Sequence, residues 1–199
     1  MAIITSTSIC NEALVFLGEE PMLTFPETSE QSDRCEIYYD RVKASELSKH
    51  QWNFALQREA LTRESATPAF EYQYQFVLPA KCLRVLDTWP KGHRWKREGD
   101  RLLTYTDTVS ILYIKNVDEG VFTPAFAAVM SARLAVLLAS TLTERVNKLE
   151  QAAAWYEDAL SEARRQDSQE MSIDQMDDLD VVQARRNQDQ SFFYRSVST

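Results

Sequence analysis

Glycine is scarce in this chain: four glycines stand in 199 residues. None belongs to a G-x-G-x-x-G or Walker-type string, which excludes a glycine-rich phosphate cradle of that kind. Histidine is scarcer still, with only His50 and His93. Neither sits in a metal-ligand spacing, no H-E-x-x-H string occurs, and no paired Cys/His set exists. Neither a metal nor a cofactor is therefore expected. The three cysteines, Cys10, Cys35 and Cys82, are odd in number, far apart and without C-x-x-C pairing. Cys10 and Cys35 fall on apolar faces of predicted helices, so all three read as reduced thiols made in a reducing compartment. No apolar run reaches the ~18 residues of a membrane span. The opening "MAIITSTSIC" has no basic region and no long apolar one, so no secretion signal is expected. No G-x-S-x-G elbow surrounds any serine.

Positive charge is also in deficit. Lys and Arg total 22 against 30 Asp and Glu, a net charge of -8. A general nucleic-acid binder normally shows a basic footprint, so that class is disfavoured. A protein past which DNA slides without sticking is not. Thirty acidic residues also leave a carboxylate pair for acid–base work neither supported nor excluded. Solvated helix faces are the plainer reading of them.

What the chain does contain is apolar surface: 44% of its residues are hydrophobic, enough for a packed core. Residues 5–17 predict a helix with Ile9, Ala13, Phe16 and Leu17 on one face and Cys10 and Leu14 beside them. Gly18 is placed to end it in a left-handed cap, and Pro21 forbids continuation. A second helix is predicted over 28–50, opened by a Thr28/Gln31 capping box and carrying Cys35, Tyr38, Val42 and Leu47 inward. Asp33, Arg34, Glu36, Asp40, Arg41 and Lys43 make its solvated face. His50 ends it, and Trp52 and Phe54 of "HQWNF" read as core plugs between helices and sheet.

Residues 53–117 change character. "FEYQYQFVL" alternates from Phe70 to Leu78 and predicts a half-buried strand. "NFALQREAL", "CLRVLDTW" and "SILYIKNV" predict further strands, and "REGDRLLTY" a hairpin turning at Gly99-Asp100. Thr123-Pro124 then opens a helix over 124–140, apolar nearly all round. Thr141 and Glu144 match a capping box for a last helix over 142–168, with Val146, Leu149, Ala153, Tyr156 and Leu160 inward. The expected fold class is α+β: about four helices, a small antiparallel β-meander inserted between the helix pairs, and an extended C-terminal arm.

That domain is expected to span 1–168, and residues 169–199 form the extension. Asp174, Asp177, Asp178 and Asp180 dominate its first half, and apolar residues such as Val181 and Val182 are sparse. Near its end stand Phe192, Phe193 and Tyr194. Burying three such rings is worth roughly 5–9 kcal/mol, at about 1.5–3 each. Ordering costs about 1–2 kcal/mol per residue, so aromatics alone cannot fix this extension, which needs backbone pairing or helix formation on a partner. Folding of "SFFY" back on its own domain is the plain alternative.

One basic cluster interrupts the acidity: Lys91, His93, Arg94, Lys96, Arg97 and Arg101, interleaved with Trp89 and Trp95. Cations beside aromatics suit single-stranded nucleic acid or a protein contact, with Arg94, Trp95, Lys96 and Arg97 as the contacting residues. The plain reading is an exposed hairpin whose charges protect an edge strand.

Three strings carry a resemblance: "ICNEALVFLGEEPMLTF", "KHQWNFALQREAL" and "YQFVLPAKCLRVL". With the helical hairpin "TPAFAAVMSARLAVLL…WYEDALSEAR", they come in the order and spacing that resembles tailed-phage head–tail adaptor (connector) proteins. The similarity is to the tail tubular protein A group of short-tailed phages and to like proteins of prophages, over residues 5–167. It implies a structural part without catalytic residues or cofactor. Such adaptors form a ring, usually a dodecamer, below the portal; the ring joins capsid to tail and forms part of the channel through which DNA is ejected. The implied partners are the portal protein, neighbouring copies, and the next tail component, a nozzle or tail-tube protein, with DNA passing unbound and no membrane involved. The implied location is the head–tail junction of the virion, after synthesis in the host bacterial cytoplasm. A C-terminal arm reaching toward the portal gives Phe192, Phe193, Tyr194, Val181 and Val182 an expected docking role. Carboxylates on a channel wall would repel phosphate. The alternative is a tail-associated peptidoglycan or polysaccharide hydrolase, which needs two carboxylates about 5–9 Å apart in a cleft. A small helical module binding a host protein is a third reading.

Overall fold

The structure, a computed structural model, describes residues 3–142 and 146–170. Two units divide the chain, Met1–Ala163 and Arg164–Thr199. Of the second, only the last turns of a helix lie among the described residues.

Helix α1, Ser6–Leu17, starts at a reciprocal cap. The Thr5 hydroxyl accepts from the Ser8 amide at 3.1 Å, and the Thr5 amide donates to the Ser8 hydroxyl at 3.0 Å. Gly18 ends it at φ 88°, the left-handed cap its position predicts. The following connection is pinned from within the helix: the Asn11 amide donates to the Met22 carbonyl, and the Met22 amide donates to the Asn11 side chain, both at 2.8 Å.

Helix α2, Glu30–Lys49, is capped by Ser29, whose hydroxyl accepts from the Ser32 amide. The Thr28/Gln31 reading is thus one residue early, because Ser29 holds the extended conformation a cap requires. The buried face holds Cys35, Tyr39, Val42 and Leu47, with Tyr38 half-buried beside them. Lys43, assigned to the solvated face, is buried instead.

Helix α3, Pro124–Leu142, is opened by Thr123, whose hydroxyl accepts from the Phe126 amide at 3.2 Å. Phe126, Val129, Met130, Leu134, Ala135 and Leu138 are all buried, as its all-round apolarity predicts. Helix α4, Val146–Gln169, begins later than residue 142, since α3 runs on to Leu142. Thr141, predicted to cap this last helix, instead lies within α3, and its capping-box partner Glu144 lies outside the described residues. The inward stripe of α4 is Ala152, Tyr156, Leu160 and Ala163; Ala153 is exposed and Leu149 is 39% exposed. All four helices share one apolar core, closed by Trp52, Ala55, Ile114 and Phe122.

The fold is α+β, with antiparallel strands inserted between the helix pairs. A 3₁₀ turn, Asn53–Ala55, leads into β1, Leu56–Ala60. There follow β2, Tyr74–Val77; β3, Cys82–Trp89; β4, Trp95–Glu98; β5, Arg101–Thr104; and β6, Ser110–Lys115. The expected single meander resolves into two three-stranded sheets, ordered β1-β6-β3 and β2-β5-β4. The chain itself joins them. Leu61 still donates to Val109 beside β6, and two residues later the backbone runs along β2, with Val77 donating to Thr62 and Glu64 to Gln75. A second apolar cluster, built on Phe76, Leu78, Leu102, Val109, Ile111 and Tyr113, draws on strands of both sheets. The Gly99-Asp100 turn joins β4 to β5 as predicted, with Gly99 at φ 60°. The predicted Phe70–Leu78 strand is shorter than its alternation implies. Glu71 takes φ 68° and Tyr72 donates back to Phe70, so a turn leaves Phe70 81% exposed and the strand starts at Tyr74.

Candidate functional site

The basic cluster occupies the loop after β3 and the β4–β5 hairpin. Trp89 ends β3 65% exposed, whereas Trp95 on β4 packs partly against the second core cluster. Arg94 faces Glu71 at 3.6 Å, Lys96 pairs with Glu98 at 2.8 Å, and Lys91 pairs with Asp87. The contacts with Lys91 and the Thr88 amide outweigh burial and hold the Asp87 carboxyl below its ordinary range. Arg101 reaches Glu64 at 2.9 Å. Arg97 is different in kind: its guanidinium donates to the Leu83 carbonyl at 2.8 Å and to Gly99 at 3.1 Å. It therefore ties β4 of one sheet to the start of β3 in the other. The structure thus brings Arg94, Trp95, Lys96 and Arg97 together on one strand and its approach, each with a local partner. Phe192, Phe193, Tyr194, Val181 and Val182 lie outside the described residues.

The second cluster surrounds the "HQWNF" string. The Trp52 indole donates to the Glu46 carbonyl at 3.0 Å and meets the Phe126 ring edge-on, centroids 5.0 Å apart. Phe54 packs on both Phe122 and Phe126. One turn back, the Glu46 carboxylate is 1% exposed. One oxygen accepts from Lys49 at 2.6 Å and lies 3.7 Å from Arg133; the other accepts from the Tyr156 hydroxyl at 3.0 Å. Lys49 also donates to the Tyr156 hydroxyl. Hydrogen bonds to Glu46 and Tyr156 outweigh burial and raise the Lys49 ammonium above its ordinary value, while burial raises the Tyr156 phenol. With both its oxygens engaged, Glu46 works as a clamp joining α2 to α3 and α4. Sequence reading missed it, because its partners lie 87 and 110 residues away by number along the chain, at Arg133 and Tyr156. The only local signal was the Glu46/Lys49 spacing.

A third buried group, also missed, closes the helical core at α2. Glu119 accepts from Lys43 at 2.8 Å and from the Tyr39 hydroxyl at 3.0 Å. Burial opposes its ionisation, but the bonds from Lys43 and Tyr39 prevail and hold its carboxyl below the ordinary range. Burial and the Glu119 charge push the Tyr39 phenol far up. Beside it, Cys10 and Cys35 are buried free thiols, and the contact with Cys35 together with burial pushes the Cys10 thiol up. Cys10 is thereby held as a small apolar group rather than a nucleophile. Among the described residues no group of three or more His, Cys, Asp or Glu is arranged to hold a metal ion, and no helix is long and apolar enough to cross a membrane. No family model matches the chain, and no curated protein matches it.

Proposed function

We propose that this chain is a structural head-to-tail adaptor of a tailed bacteriophage, a ring-forming subunit that binds the portal and joins capsid to tail around the DNA channel. One observation carries the reading. The strings that resemble the adaptor family fall on positions that determine the fold: Gly18 turns the chain out of α1, and Trp52 and Phe54 plug α2 against Phe126 of α3. "YQFVLPAKCLRVL" spans β2 and most of β3, where Phe76, Leu78 and Val85 enter the second core. A resemblance made of caps and plugs speaks for a shared scaffold, and residues 5–167 are the scaffold. The carboxylates of buried Glu46 and half-buried Glu119 support the same reading, since both serve as clamps between elements. The C-terminal extension supplies the docking segment, with Phe192, Phe193 and Tyr194 as its apolar anchor and Val181 and Val182 earlier in its sequence.

Mixing the full chain with cognate portal rings tests this, read by negative-stain imaging and by co-sedimentation. Stoichiometric attachment of a second ring to one end of the portal is the expected result. A chain that leaves portal rings bare at micromolar concentration contradicts it. Release of reducing sugars from peptidoglycan or capsular polysaccharide would move the assignment to the hydrolase class.

A further inference from the structure

The net charge of -8 is unevenly distributed. Residues 81–101 hold seven cations and three carboxylates, and Asp118, Glu71 and Glu64 pair with Lys81, Arg94 and Arg101 from outside that stretch, which leaves a net +1, whereas residues 19–41 hold seven carboxylates and two cations, a net -5. The first set lies on β3, the β4–β5 hairpin and the loop between them, beside the exposed Trp89 ring. Most of its ion pairs are open to solvent. Lys91–Asp87, Arg94–Glu71 and Lys96–Glu98 all join side chains at least 41% exposed. Exposed pairs of this kind contribute about 0–1 kcal/mol, so an incoming carboxylate competes for these cations at little cost. The second set includes the outer face of α2, where Asp33, Glu36 and Asp40 recur at helical spacing, all exposed. Ile37 sits among them, 67% exposed.

We propose that these two surfaces are the halves of one head-to-tail contact between copies of this chain. The basic hairpin of one copy, with Trp89, docks on the outer face of α2 of the next, around Ile37. Symmetry and charge together select this pairing. A two-fold contact would set each patch against itself, basic on basic or acidic on acidic, which is repulsive. A heterologous contact uses two different patches of the same chain, and these are opposite in sign, each with an apolar residue exposed within it. Repeated head to tail, such a contact closes into a ring when the rotation permits. The proposal deepens the adaptor reading and rests on it for the ring, but the contact itself needs no portal.

Sedimentation velocity of the full chain decides it, at roughly 50 mM and 500 mM salt, where screening lengths differ severalfold. Wild type is expected to self-associate at low salt and to dissociate at high salt. Reversing one side, by Lys91→Glu with Lys96→Glu, or the other, by Glu36→Lys with Asp40→Lys, is expected to weaken association at least tenfold. An equimolar mixture of the two reversed chains is expected to regain it, because each then offers the face the other lacks. Melting curves verify folding, and the neutral Lys96→Gln and Glu36→Gln chains replace any reversed chain that fails to fold, with a smaller loss expected. A wild type that stays monomeric in both salts, reversed chains that associate unchanged, or a mixture that regains nothing overturns the proposal. So does duplex DNA bound by the wild type and released by the lysine reversals, which would make the hairpin a nucleic-acid surface. Association that passes these tests beside bare portal rings would defeat the adaptor reading and leave the contact standing; attachment to portals without salt-dependent self-association would do the reverse.

Discussion

Trp52, just beyond the end of α2, seals the helical core with one side chain, through its indole bond to the Glu46 carbonyl and its edge contact with Phe126. Truncation to alanine removes the ring from a site that is 1% exposed. Trp52→Ala is expected to cost about 3–5 kcal/mol, the range for emptying a large aromatic site in a core. Urea unfolding checks it as a lower midpoint at unchanged slope; a loss under about 1 kcal/mol would mean that the ring is not the plug. Glu119 makes a different prediction, one of pH. Its carboxyl titrates below its ordinary value of 4.5 in the folded chain. The stability this provides is present above the unfolded-state value and is lost as pH falls through the folded one, because the unfolded chain takes up the proton first. The window therefore lies below about pH 4.5. Glu119→Gln is expected to flatten that part of the acid limb and, at neutral pH, to lower stability by about 1–3 kcal/mol by leaving buried Lys43 without its carboxylate. Unfolding free energies between pH 3 and 7 for both chains check the sign: an acid limb equally steep in the variant would locate the titration elsewhere.

Arg97 joins two elements rather than filling one. Its guanidinium bonds to the Leu83 and Gly99 carbonyls hold β4, an edge strand, against the start of β3. Arg97→Ala is expected to speed amide exchange across β4 and β5 while leaving α1 to α3 unchanged, with a global cost of about 1 kcal/mol because the group is exposed. Equal acceleration in the helices would refute a local role. Lysine cannot substitute, since it lacks the planar fork that reaches two carbonyls. Elements governed by local chemistry were the ones legible in the sequence: α1 between Thr5 and Gly18, the Thr123-Pro124 start of α3, and the Gly99-Asp100 hairpin. Each is specified within a few residues by a cap, a ring or a positive φ. What escaped was settled at long range. Lys43 looked solvated because its partner Glu119 is 76 residues away, and Glu46 looked like an ordinary helix carboxylate because Tyr156 is 110 away. The Phe70–Leu78 alternation misled for a converse reason: period two fits a strand, but a turn at Glu71 changes the path without changing the pattern. Of the interaction residues, the hairpin could be located from its turn. That Arg97 belongs to the scaffold while Lys96 stays exposed depends on which carbonyls face the strand.

The adaptor reading divides the molecule into a scaffold and a means of attachment, and the two should respond separately to substitution. Within residues 5–167, Trp52 and Phe126 pack against each other in the helical core and Phe76 packs in the second cluster, all without any partner. Phe192, Phe193 and Tyr194 are proposed to find their partners only at the portal. Replacing all three by serine in the full chain should then leave the melting transition of the body within about 1 °C of wild type, since surface-type changes outside a core cost little. Portal attachment should respond strongly. Each ring buried in a partner is worth about 1.5–3 kcal/mol, so losing even two of them predicts at least a hundredfold weaker attachment per arm. Repetition around a ring multiplies the effect, because arms anchored on neighbouring copies dock at high effective concentration and lose that advantage together. Titration of portal rings against the full chain and the triple-serine chain separates the two outcomes. If the serine chain instead melts several degrees early and still binds portal rings as wild type does, the three aromatics belong to the body's own core and the attachment must lie elsewhere.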